Sequence, residues 1–238
     1  MRVAYILLAY NEEPFIQQAV RDLLNTAKGY NDDFVIYICE NGSKDKTVEK
    51  TDEVIRELND ARVVRKSFPE PSYAKTLIGA VRVIPESVMA LVEVDHINTK
   101  FLHEALPYME THPECGIVIG SKTMKGANDR RPFSRRLITR IFNLWLRLIM
   151  GSPYSDTHGI KAFRKEKLEP MIAQCKTDLS HGADLFPTEL LIRMARFGIP
   201  FHEIPIEIEE LRDARINIFY KARKQLKSFY QIWKVLRD

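Results

Sequence analysis

The chain has 238 residues, 45% of them hydrophobic and 29% charged, a composition that supports a substantial core and excludes a disordered chain. Lysine and arginine outnumber aspartate and glutamate by 36 to 32, and the formal charge of +4 conceals two basic stretches, 122–147 and 221–237, that suit anionic partners. Cys39, Cys115 and Cys175 lack paired or metal-ligand spacing, the apolar run at residues 3–9 is short for a signal peptide, and no run approaches the roughly 20 apolar residues of a membrane span; the expectation is a cytoplasmic chain.

In chain order, β-rich runs alternate with helical patterns. Strands are expected over 3–8, 34–39, 62–65, 88–94 and 116–121, and helices over about 13–27, 46–58, 73–83 and 101–109. This alternation predicts an α/β fold with a mostly parallel central sheet and helical crossovers. Beyond Ser121 come a basic loop, a long amphipathic helix over about 134–150, a polar turn at 155–159 and a helix over about 186–197. The simplest division is one domain over 1–215 and a basic amphipathic helix over 216–238.

Ligands of such sheets gather beyond the carboxyl ends of the strands. Tyr10-Asn11-Glu12, Glu40-Asn41-Gly42-Ser43 and Asp95-His96 follow three strands there. Gly42 suits a positive φ and Ser43 or Asp45 a helix cap, which an ordinary strand-turn-helix connection would also need. In Leu91-Val92-Glu93-Val94-Asp95, two carboxylates two residues apart on an extended strand would share a face. Such a pair suits a magnesium or manganese ion completed by substrate phosphates, and equally a solvated strand end with one carboxylate capping the next helix.

Together these pieces resemble the family-two glycosyltransferases of the GT-A (Rossmann-like) fold, most closely the dolichol-phosphate mannosyltransferase, or polyprenyl-phosphate sugar synthase, branch. The resemblance covers about residues 2–215. Leu8-Ala9-Tyr10-Asn11-Glu12 stands where that family has Pro-x-Tyr-Asn-Glu, and Glu40-Asn41-Gly42-Ser43 where it has Asp-Asp-Gly-Ser. Glu93-Val94-Asp95-His96-Ile97 falls on the metal motif Asp-x-Asp-x-Gln, with an isoleucine at the last position and His96 or Asn98 as substitute ligands. Gly120-Ser121-Lys122 and Phe133-Ser134-Arg135-Arg136 resemble Gly-x-Arg and Leu-Ser-Arg, and the segment from Asp156 to Arg164 resembles Asp-x-x-x-Gly-Phe-Arg-Ala-Tyr-Arg, one residue shorter. Glu189 and residues 198–206 match Glu-Leu … Gly … Glu-Val-Pro-Ile.

The resemblance implies a nucleotide-sugar donor bound by Leu8, Tyr10, Glu12, Ile38, Glu40, Asn41, Glu93, Val94 and Asp95, with Arg212 and Arg215 near the diphosphate. It implies Mg2+ or Mn2+ on Glu93 and Asp95, an acceptor phosphate held by Lys122, Ser134 and Arg135, and Asp95 and Arg135 as the catalytic pair. The implied reaction is inverting transfer of a hexose, mannose or glucose, from a GDP- or UDP-sugar to dolichyl or polyprenyl phosphate. If the acceptor were instead a sugar hydroxyl, Asp156, Asp184 or Glu189 would serve as base. A non-catalytic nucleotide-sugar-binding protein is the reading from another class.

Within 134–150, Arg136, Arg140, Asn143 and Arg147 form one stripe and Leu137, Ile141, Trp145 and Leu148 another. The tail repeats the composition, with Phe219, Leu226, Phe229 and Trp233 among Lys221, Lys224, Lys227 and Lys234. Apolar faces of this kind suit either a core or an anionic membrane surface, and their recurrence favours peripheral docking on the cytoplasmic membrane face. No nucleic-acid reader motif accompanies the basic residues.

Overall fold

The computed structural model describes residues 1–176, 185–209 and 230–237. A seven-stranded sheet runs in the order β3-β2-β1-β4-β7-β5-β8. The parallel members are β1 (Val3–Ala9), β2 (Phe34–Glu40), β3 (Val63–Ser67), β4 (Val88–Val92), β5 (Ile117–Ser121) and β8 (Phe201–Pro205). Only β7 (Lys161–Arg164) is reversed, lying antiparallel between β4 and β5. A small second sheet pairs β6 (Asn128–Asp129) with β9 (Glu207–Ile208).

Strands β1, β2, β4 and β5 are buried along nearly their whole length because helices cover both faces, which is why they read as continuous apolar runs in place of an alternating pattern. One face packs on α1 (Ile16–Tyr30), α2 (Thr47–Leu58) and α4 (Thr99–Thr111), where Val20, Leu23, Leu106 and Met109 meet Tyr5, Leu7, Ile36 and Ile38. The other packs on α3 (Tyr73–Val83), α6 (Lys165–Ile172) and α7 (Phe186–Arg196), where Leu77, Leu168 and Leu191 meet Ile6, Met89 and Phe163. Each fully buried leucine, isoleucine or phenylalanine contributes roughly 1.5–3 kcal/mol.

Two of the boundaries that differ from expectation shape the strand ends. Helix α1 starts at Ile16, three residues late, because the Glu12 carbonyl accepts from Phe15 N and Ile16 N while residues 11–13 are bonded to the β2–α2 loop. Strand β4 stops at Val92, and residues 93–96 form a tight turn closed by His96 N donating to the Glu93 carbonyl at 3.3 Å. Glu93 and Asp95 are therefore brought together by a turn, not by the pleat of a strand.

The long amphipathic helix is α5 (Phe133–Met150). Its inner face, with Phe142 and Leu146, packs on Leu185 and Ile192 and on Ile232 and Leu236 of a helical stretch at 230–237. Trp145 packs at the edge of this cluster and Asn143 is buried, so neither sits on the face its position in the sequence suggested. Phe133, Leu137, Ile141, Leu144 and Leu148 form the outer stripe and are between 44% and 72% exposed. The rest of the expected carboxy-terminal helix, including Phe219 through Phe229, lies outside the described residues.

Candidate active site

The loops after β1 and β2 brace one another. Asn11 takes a left-handed conformation (φ 54°); its backbone N donates to Ser43 Oγ at 3.1 Å and its Oδ1 accepts from Lys44 N at 2.8 Å. Glu12 N donates to Thr47 Oγ1 at 2.7 Å and Glu13 N to Asp45 Oδ2 at 3.2 Å. Gly42, at φ +76°, turns the second loop so closely under Pro69 that an added Cβ would lie 3.1 Å from the Pro69 carbonyl oxygen. The Glu40 carboxylate accepts from Ser43 N, and Asn41 N donates to the Ala9 carbonyl. The two motifs thus form one rigid edge at the carboxyl ends of the strands, reached from sequence positions some 30 residues apart.

That edge bounds an open cleft of about 690 Å³. Leu8, Tyr10, Glu12 and Tyr73 line one side; Glu93, Val94 and Asp95 lie in the middle; His158, Ile160, Lys161 and Pro187 line the other. Of the expected donor-binding residues, Leu8, Tyr10, Glu12, Glu93, Val94 and Asp95 reach this cleft. Glu40 and Asn41 are buried at its rim, off the lining. Ile38 is fully buried in the core against α1, because the alternation of β2 sends it to the same face as Phe34 and Ile36. Arg212, Arg215 and Asp184 fall outside the described residues.

Glu93 is open to water through the cleft but otherwise enclosed by protein. Burial first, and the neighbouring Asp95 carboxylate second, push its pKa above the ordinary glutamate value, against the opposing pull of Lys122, Lys161 and His96. Tyr73 is raised by burial and by Glu93. A carboxylate whose charge is disfavoured by a second one beside it makes a site for a cation. Among the described residues no group of three or more His, Cys, Asp and Glu makes a cage of protein ligands alone. Glu93 and Asp95 fit instead the habit of Mg2+ or Mn2+, which binds through one or two carboxylates and completes its shell with substrate phosphates and water. Asn98 is taken up elsewhere: it caps α4 through Phe101 N at 2.9 Å and donates to the Glu207 carbonyl at 3.0 Å.

Behind the carboxylates lies a buried charge cluster. Lys122 Nζ is 2.6 Å from Asp156 Oδ2, and Asp156 also accepts from Lys122 N and His158 N. Burial alone would raise the Asp156 carboxyl, but Lys122 and these hydrogen bonds outweigh it and hold the pKa below its ordinary value. Lys161, 6% exposed, donates to the Gly159 carbonyl at 2.5 Å. Burial lowers its pKa to about 8, Asp156 opposing and Lys122 reinforcing the shift. Gly159 presses on β5 so tightly that an added Cβ would lie 1.8 Å from the Gly120 carbonyl oxygen. Glu189 is fully buried and accepts from Arg193 Nε at 2.8 Å and Lys176 N at 2.7 Å.

Ser134 and Arg135 open α5 and are half-buried, off the cleft lining. Phe142, two turns further along the face that carries Arg135, meets the His158 ring edge-on at 5.5 Å, so this face of α5 abuts the cleft wall. The sequence reading did not single out Tyr73, Pro187 or Lys161 as site residues. For Lys161 the available signal was its place directly after Gly159-Ile160 in the motif, but its burial depends on recognising β7.

Residues 5–171 match the glycosyl transferase family 2 domain, and the chain belongs to that family. It is 26% identical over 222 residues to the glycosyltransferase AglD of Haloferax volcanii, aligning 92% of this chain with 35% of that protein. It is 28% identical over 211 residues to a dolichyl-phosphate hexose transferase of the same organism, covering 87% of this chain and 83% of the relative. The chain therefore spans about a third of one curated relative and most of the other. Among solved structures, it resembles a mannosyltransferase from Pyrobaculum calidifontis in complex with GDP-mannose and Mn2+, with a TM-score of 0.68 and 17% identity over 100% of this chain and 64% of that one. A glucosyl-3-phosphoglycerate synthase from Mycobacterium tuberculosis, bound to Mn2+, UDP and phosphoglyceric acid, gives a TM-score of 0.69 and 17% identity over 98% and 78%. These likenesses agree with the GT-A arrangement of the sheet.

Proposed function

We propose that the protein transfers a hexose, mannose or glucose, from a GDP- or UDP-sugar to dolichyl or polyprenyl phosphate, with inversion. The observation that carries the reading is the division of the cleft: a carboxylate pair in the middle, and a buried cluster of two lysines and one aspartate on the far side from Tyr10 and Glu12. The donor lies along Leu8, Tyr10 and Glu12 with its diphosphate toward Glu93 and Asp95. Mg2+ or Mn2+ held by those two carboxylates would neutralise the departing nucleoside diphosphate. A phosphate oxygen of the acceptor attacks the anomeric carbon from the opposite side, the bond to the diphosphate breaks, and Arg135 with Ser134 steadies the acceptor.

A phosphate monoester, with a second pKa of about 6, is already an anion near neutral pH and needs no protein base. A sugar hydroxyl does need one, and two of the three candidate bases are otherwise engaged: Asp156 holds Lys122 and Glu189 holds Arg193. The name of the Haloferax dolichyl-phosphate hexose transferase supports the same acceptor. Among the described residues no helix is long and apolar enough to cross a membrane. The exposed stripe of α5, beside Arg136, Arg140 and Arg147, supports peripheral docking on an anionic bilayer, where the lipid acceptor resides.

The test is transfer of labelled sugar from GDP- and UDP-sugars into dolichyl phosphate, with Mn2+ or EDTA, by the wild type and Asp95→Asn. Labelled lipid that requires both metal and Asp95 supports the reading and names the sugar. Metal-dependent donor hydrolysis without lipid product points to a hydroxyl acceptor, and metal-independent nucleotide binding without turnover to a binding protein.

A further inference from the structure

The Lys161 ammonium is the charge in the cleft whose role is least explained by the fold. It lies at the site end of β7, in register with Leu91 of β4 and Ile119 of β5. A lysine 94% shielded from water is costly to retain unless its charge has a partner. One of its three N–H groups is satisfied by the Gly159 carbonyl, and among the described residues the structure gives it no other hydrogen-bond acceptor. Of the two carboxylates that favour its charge, Asp156 is already bonded to Lys122 Nζ, Lys122 N and His158 N, and Glu93 is paired with Asp95 at the candidate cation site. Because β1 flanks β4 on one side and β7 on the other, Lys161 faces Glu93 and Asp95 from the side opposite Tyr10 and Glu12.

Resting on the phosphate-acceptor reading above, we propose that Lys161 directly binds the acceptor phosphate, while Lys122, engaged by Asp156, acts as a positioning residue behind it. The cluster of Lys122, Lys161 and Asp156 carries a net positive charge, complementary to a phosphate monoester. Lysine offers that phosphate a point charge with rotatable donors, which tolerates the change from free monoester to glycosylated diester better than a fixed fork would.

The test uses the full chain with farnesyl phosphate as a short prenyl phosphate, a saturating donor and Mn2+. Lys161→Gln is expected to raise the KM for farnesyl phosphate by about tenfold or more, the size of one charge-assisted hydrogen bond, while the affinity for donor nucleotide with Mn2+ stays unchanged. Lys161→Arg is expected to recover much of the loss. Weakened nucleotide affinity with an unchanged acceptor KM would move Lys161 to the donor diphosphate; an altered melting temperature with both constants unchanged would leave it a structural role. Either result overturns the proposal. Should Lys161→Gln fail to fold, the Lys161 side-chain nitrogen resonance of the wild type, assigned by its absence in Lys161→Arg, must move on adding farnesyl phosphate and not farnesol; an unmoved resonance overturns the proposal equally. A wild type unable to glycosylate any prenyl phosphate defeats the acceptor reading itself, a failure visible before any substitution is made.

Discussion

The Lys122 ammonium and the Asp156 carboxylate meet at 2.6 Å where both side chains are almost wholly shielded from water. The contact fastens the loop before β7 to the end of β5, and it stations Asp156 between two lysines. Asp156→Asn would strip Lys122 of its direct ion-pair partner and leave Glu93 as the carboxylate acting on both lysines, and breaking a buried pair by removing one partner costs about 3–5 kcal/mol. Urea denaturation at neutral pH measures it, and a loss below about 1 kcal/mol would mean the cluster relaxes or admits water.

The same pair sets a pH dependence. The folded pKa of Asp156 lies below its ordinary value of about 3.9, so its contribution is complete above that value and fades as pH falls through the lower, folded one. Acid unfolding of the wild type should therefore steepen below about pH 4, and Asp156→Asn should flatten that limb of the stability curve. Superimposable acid limbs for the two proteins would show that other carboxylates dominate.

Glycine at 159 is the other fastening. An added methyl would be driven into the Gly120 carbonyl, which is backbone and cannot rotate away. Gly159→Ala should destabilise the protein by about 1–3 kcal/mol through overpacking. Since Lys161 Nζ is bonded to the Gly159 carbonyl, transfer should fall further than stability alone explains. Calorimetry beside an activity assay at low temperature separates the two effects; full activity in a less stable protein would uncouple the loop from the site.

How much of this was legible in the sequence follows from what each residue packs against. Strands β1, β2, β4 and β5 are apolar runs because both faces are covered, so they can be read without a partner. β7 cannot: it is four residues, Lys161-Ala162-Phe163-Arg164, two of them cationic, and it is a strand only because β4 and β5 flank it. Ile38 looked like a ligand neighbour by resemblance, yet strand alternation turns it to the core. The meeting of Glu93 with Asp95 was foreseen, but a turn, not a strand, performs it.

The Glu93 and Asp95 pair should oppose stability to function. The folded pKa of Glu93 is raised, so its ionisation weakens the metal-free protein at neutral pH, and that penalty disappears as pH falls below the ordinary glutamate value. Glu93→Gln is expected to raise the melting temperature in EDTA, abolish further stabilisation by Mn2+ with nucleoside diphosphate, and cut transfer by about a hundredfold or more, near 2.7 kcal/mol of barrier. Thermal scans with and without Mn2+ decide it; a variant still stabilised by metal and nucleotide would assign the cation to Asp95 and other ligands.

Helix α5 presents an apolar outer stripe. Five apolar residues at helical spacing of three and four stand exposed on one ridge, while the inner face already has its partners in Leu185, Ile192, Ile232 and Leu236. A ridge of this size facing water is unfavourable, and Arg136, Arg140 and Arg147 beside it match anionic head groups. Each basic residue near such a surface adds about 1 kcal/mol, so replacing all three with glutamine should weaken binding to phosphatidylserine liposomes about a hundredfold, and Leu148→Asp with Ile141→Asp should abolish flotation while leaving the fold intact. Salt should reverse the arginine contribution and spare the apolar one, since only the first is screened. Flotation indifferent to both sets of substitutions would take α5 out of membrane docking and make the ridge a contact for another protein surface.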